Sequence, residues 1–195
     1  MADEIEWALK ERIDLCIPCC YTPTYNVRDD RGTVAKAREV LDRYNIGLWV
    51  WPDGSGGANG NGNLLGHEMW KAPVADDKEA YRKLRRDMYD LLWRSCQKPV
   101  AFVVFSRYAH RGYGICPPSF KGLAPVVGET AGCLINPEGN SDGMDLLHEL
   151  GHCAGLDHAA AGDRANFMNE ADGRSVITRV QGDAFVRSAF SWSPG

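Results

Sequence analysis

The stretch "HELGHCAGLDHAAAGDRANFMNE", residues 148–170, carries three of the chain's five histidines within eleven positions, and a methionine ten residues after the last of them. His148 and His152 stand at i and i+4, a spacing that puts both on one face of a helix. Two imidazoles so placed reach one zinc ion at ~2.0–2.1 Å each. Glu149, one step along, lies about 100° round the helix, beside such an ion and not on it. His158 is the test of the pattern. On a continuing helix it would point roughly 240° away from His152, so it joins the pair only if the helix stops and the chain turns back. Gly155 lies midway between them, and glycine is the residue type that ends helices in the left-handed conformation. Ser141 or Asp142 supplies a cap for a helix starting near Gly143. With this chain's composition, the full H-E-x-x-H-x-x-G-x-x-H pattern has a chance probability on the order of 10⁻⁵. Three ordinary core histidines would also be costly, because buried neutral imidazoles need partners.

Three histidine ligands leave the fourth position of a tetrahedral zinc open, which is the mark of a catalytic site. One zinc ion per chain is therefore the expected cofactor. It would bring the pKa of water towards ~7 and polarise a carbonyl oxygen, while Glu149 takes the water's proton and passes it to the leaving amine. The expected reaction is amide hydrolysis.

Outward from this stretch, "RIDLCIPCCYTP" reads as a buried strand holding Cys16, Cys19 and Cys20, and "GTVAKAREVLDRYN" as a helix with Val34, Ala37, Val40, Leu41 and Tyr44 on its apolar face. "IGLWVW" (46–51) is a second strand, and strand, helix, strand in close succession predicts a parallel crossover. The glycine- and asparagine-rich run after Trp51 is a surface loop without the lysine ending of a phosphate loop. A second helix is predicted over 77–96 and a third strand over 99–105. Two weaker strands follow at 122–127 and 132–136, and "SVITRVQGDAFVRSAF" predicts a closing helix despite Gly182. His67 and His110 fall in loops, Glu129 earns no role, and Asp157 reads equally as a turn residue and as a carboxylate orienting a ligand.

At His148, Glu149, His152, Gly155 and His158 the sequence resembles the metzincin clan of zinc metallopeptidases, with Met168 in "ANFMNE" in the place of that clan's Met-turn. The specific likeness spans about residues 120–190, the first hundred matching in element order alone. It implies an α/β (α+β) fold: a twisted mixed sheet of about five strands over the zinc helix, with a small C-terminal subdomain ending in a helix. The whole of 1–195 then forms a single catalytic domain, an upper part to about 155 and a lower part from about 156. It also implies an antiparallel edge strand that takes a peptide or protein substrate as an added strand, with 122–127 as the candidate. Ala159, directly after the third histidine, does not label a better-known family, and the helix at 77–96 is an addition to the minimal clan layout.

At 195 residues and 44 % hydrophobic content the chain can bury a core. A net charge of -4 gives no electrostatic basis for a nucleic-acid partner, and no apolar run is long enough to span a membrane. The charged start, "MADEIEWALKERIDL", has no apolar signal core, which points to the cytoplasm, with an exported effector or a domain excised from a secreted parent as alternatives. A general protease kept in a cytoplasm requires restraint, which raises narrow specificity or a separate inhibitor protein. Two other functions fit the motif: a zinc hydrolase acting on a non-peptide or cell-wall amide, and a non-catalytic zinc-binding module. The presence of Glu149 weighs against the latter.

Overall fold

A computed structural model describes residues 7–21, 32–51, 102–105, 112–115, 132–136, 142–188 and 190–192. Mixed helices and strands run in the order β1 (Ile13–Tyr21), α1 (Thr33–Asp42), β2 (Ile46–Trp51), β3 (Phe102–Phe105), β4 (Gly112–Ile115), β5 (Gly132–Ile135), α2 (Asp145–Cys153), α3 (Arg179–Arg187) and β6 (Ser191–Trp192).

Alternation along the first strand produces the sheet. Ile13, Leu15 and Ile17 are buried while Cys16 is partly exposed, as a strand with one face on a core requires. Ile46, Leu48 and Val50 repeat the pattern in β2, with Trp49 on the outer face. The predicted stripe of α1, from Val34 to Tyr44, is buried throughout. Each such aliphatic side chain contributes about 1.5–3 kcal/mol on leaving water. The strands are ordered β2-β1-β3-β5-β4. β1 pairs in parallel with β2 and β3, β3 pairs in parallel with β5, and β4 runs antiparallel to β5 at the end of the path. β6 adds a short antiparallel pairing to the start of β1. The parallel β1–α1–β2 unit is the crossover expected from the sequence.

Several expectations lie outside the described residues: the loop after Trp51, the helix over 77–96, His67, His110, Glu129 and the candidate substrate strand at 122–127. The antiparallel strand that ends the described sheet is Gly112–Ile115. The third strand begins at Phe102 within the expected 99–105, and the strand expected over 132–136 is β5.

The closing helix is shorter than expected from 175–190. It starts at Arg179 because Thr178 and Gln181 form a capping box, the Gln181 side chain accepting from the Thr178 N–H. Before it, Val176 forms a parallel bridge with Asn166. Gly182 is an asset here: a Cβ at this position would overlap the Trp7 ring. Trp7 donates its indole N–H to the Ile177 carbonyl at 2.9 Å and packs on Tyr44, whose hydroxyl accepts from the Ile177 N–H at 3.0 Å. The end of the chain is thereby fastened to its beginning. Among the described residues no helix is long and apolar enough to cross a membrane.

Candidate metal centre

α2 packs against α1, β4 and β5 and is buried almost all round, from Asp145 through Gly151. Its start lies two residues past the expected Gly143, because Gly143 has φ +72°, which no right-handed helical residue adopts. The expected cap from Ser141 or Asp142 is not made: the N-cap residue is Met144, with no side-chain capping bond, and Asp142 Oδ1 instead accepts from the Met144 N–H at 2.9 Å in a turn just ahead of the helix. Asp145 places a carboxylate in the first turn, where the helix dipole favours it.

The end of α2 follows the sequence expectation. Gly155 has φ +87°. Its N–H donates to the His152 carbonyl at 2.9 Å, and the Leu156 N–H reaches back to Gly151 at 3.0 Å. This pair of bonds is the Schellman arrangement, which closes a helix and reverses the chain. The reversal returns His158 to the other two histidines.

Their candidate ligand atoms all lie within 4.8 Å of one another. Ring centroids are 4.8 Å apart for His148 and His152, 5.2 Å for His148 and His158, and 4.7 Å for His152 and His158. His148 Nδ1 faces the Phe167 carbonyl at 3.0 Å and His152 Nδ1 faces the Leu156 carbonyl at 2.8 Å. A carbonyl can only accept, so in each neutral ring the proton belongs on Nδ1 and Nε2 carries the lone pair. The Nε2 atoms of His152 and His158 stand 3.1 Å apart. Two nitrogens bound to one tetrahedral ion at ~2.05 Å would be separated by about 3.3 Å, close to the His152–His158 spacing, while the cluster as a whole spans up to 4.8 Å. Burial holds the His148 pKa down to about 3, opposed in part by its bond to Phe167. At neutral pH His148 is an unprotonated nitrogen donor.

A single turn fastens His148 and the segment next to His158, while His152 is held by Leu156. Phe167 supplies the carbonyl to His148, and the Met168 carbonyl accepts from the Ala159 N–H at 2.9 Å, next to His158. Met168 itself is fully buried, and a Cβ at Gly151 would overlap its Sδ. The methionine therefore seats against α2 between His148 and His152. Asn166 shapes the turn: its Oδ1 accepts from the Met168 N–H at 3.0 Å and from Gln181 Nε2 at 2.8 Å.

Glu149 is 7 % exposed, directly after the first histidine. Cys133 and Cys153 are buried nearby. Burial, then a hydrogen bond to Cys153 and the charges of Cys153 and Glu149, push the Cys133 thiol well above its ordinary pKa. Asp157, weighed as a ligand-orienting carboxylate, lies exposed in the reversed segment.

Four contributors have no local sequence signal that marks them. The carbonyls of Phe167 and Leu156 carry no side-chain signature. Arg174 is a buried cation that bonds to Asp145, sits 3.4 Å from Asp142 and donates to the Asn169 carbonyl at 2.8 Å. It fastens the segment after Met168 to the start of α2. Glu170 brings a carboxylate oxygen to 3.7 Å from His158 Nδ1.

Compared with models of known protein families and with curated proteins, the chain matches none of either.

Proposed function

We propose that this chain is a zinc-dependent endopeptidase of the metzincin kind, with His148, His152 and His158 as ligands and Glu149 as general base and acid. The observation that carries the proposal is the convergence of three imidazoles, two of them held by carbonyls so that Nε2 faces inward. Three nitrogen donors with no fourth protein ligand in the described cluster suit zinc and leave one position for water or substrate. When bound, the ion supplies Lewis acidity, favouring deprotonation of water and polarising the scissile carbonyl.

The chain's own residues supply the rest. Glu149 accepts the proton of the attacking water and returns it to the departing amine. The turn at Asn166–Asn169 holds His148, and the Leu156 carbonyl holds His152, which limits their reorganisation during the reaction. β4 offers the outer edge of the described sheet, and an extended peptide would add to it as a further strand.

The test is a whole-proteome digest by zinc-loaded wild type and by Glu149→Ala, read by mass spectrometry for new peptide termini. Termini specific to wild type, with turnover reduced by about 10²–10⁴-fold in the variant, are expected. Identical profiles from two proteins each holding one zinc would refute general endopeptidase activity and favour a non-peptide amide hydrolase or a binding module.

A further inference from the structure

The three histidines are not oriented alike. His148 and His152 each present Nδ1 to a backbone carbonyl, fixed by the fold. His158 presents Nδ1 to a side chain, the Glu170 carboxylate at 3.7 Å. His158 is also the most accessible of the three, its side chain 49 % exposed, and Glu170 is 81 % exposed. The least constrained ligand thus faces the one orienting group that carries a full charge.

We infer that Glu170 is the positioning residue for His158, selecting the tautomer and orientation in which Nε2 can ligate a metal. This rests on the metal-centre reading above. A neutral His158 has two forms. With the proton on Nε2, it would bridge to the His152 Nε2 lone pair across 3.1 Å, and its Nδ1 lone pair would face an anionic oxygen. With the proton on Nδ1, that N–H points at the carboxylate and Nε2 is free for the ion. The negative charge favours the second form. At 3.7 Å the pair is an ion-pair contact that a side-chain rotation of the exposed carboxylate would tighten to hydrogen-bond length, and the bond would strengthen as ligation draws electron density from the ring. The geometry is local: Met168, two residues before Glu170, is bonded to Ala159, one residue after His158.

The exposure of Glu170 makes the inference testable without unfolding the protein. Zinc affinity would be measured by competition with a chromophoric chelator for wild type, Glu170→Ala and Glu170→Gln, with the visible spectrum of each cobalt-loaded protein recorded. Glu170→Ala is expected to bind about tenfold more weakly, the low end for loss of an orienting partner, and to shift the cobalt bands. Glu170→Gln keeps an acceptor oxygen and is expected to recover part of the affinity, with all three metal-free proteins unfolding at the same temperature. Wild-type affinity and spectrum in Glu170→Ala would overturn the role of Glu170 alone. Failure of the wild type to bind zinc would overturn the metal centre itself.

Discussion

Met168 Sδ occupies the space that a side chain at position 151 would need, so the α2 glycine and the turn methionine are a matched pair. Any Cβ at 151 would also lie 2.8 Å from the Phe167 ring, the residue whose carbonyl holds His148. Gly151→Ala should raise helix propensity and still destabilise, by about 1–3 kcal/mol, because overpacking outweighs the propensity gain of roughly 1 kcal/mol. Denaturant unfolding of the metal-free protein measures it. In a Met168→Ala background the same substitution should cost less, since the overlapping sulfur is gone and only the Phe167 ring must yield. Equal costs in the two backgrounds would contradict the packing described.

Arg174 is held between Asp142, Asp145 and the Asn169 carbonyl with almost no exposure. Its removal leaves buried carboxylates without their cation. Arg174→Ala should lower stability by about 3–5 kcal/mol, the usual cost of breaking a buried pair from one side. Arg174→Lys should recover only a fraction, because one ammonium cannot meet acceptors in the geometry of a planar guanidinium. Urea unfolding of the three proteins gives the comparison, and a wild-type midpoint for Arg174→Ala would refute the clamp.

What the sequence made legible, and what it did not, follows a physical division. The i, i+4 histidines, Gly155 and the alternation of Ile13, Leu15 and Ile17 are local signals, each read from a handful of neighbouring residues. They located α2, its end and the first strand. β4 was missed because "GYGI" is too short and too rich in glycine to show alternation; its pairing with β5 defines it. The carbonyls that orient His148 and His152 are backbone atoms and leave no trace in residue type. Arg174 and Asp145 are 29 positions apart, so their pairing exists only in the folded chain. Gly182 read as a defect in a helix until Trp7, far away in sequence, supplied its reason.

The depressed pKa of His148 gives a pH dependence for the metal-free protein. The unfolded chain takes up a proton there near the ordinary 6.5, whereas burial keeps the folded group neutral down to about 3. Below 6.5 the unfolded state therefore binds more protons. Stability contributed by this group is fully present above 6.5 and is lost as pH falls towards 3, at up to about 1.4 kcal/mol per pH unit. Urea titrations between pH 7 and pH 4 on metal-free wild type and His148→Gln check the sign: the wild type should lose stability faster. Parallel pH profiles would show that His148 does not carry the effect.

The central claim is that His148, His152 and His158 bind one zinc ion through nitrogen and leave a position open. X-ray absorption at the zinc edge of the loaded protein tests it most directly. The expected spectrum has three nitrogen scatterers at ~2.0–2.1 Å and one further light atom from solvent, with one zinc per chain. A sulfur scatterer at ~2.3 Å, or a protein that retains no zinc after dialysis, would contradict the three-histidine centre.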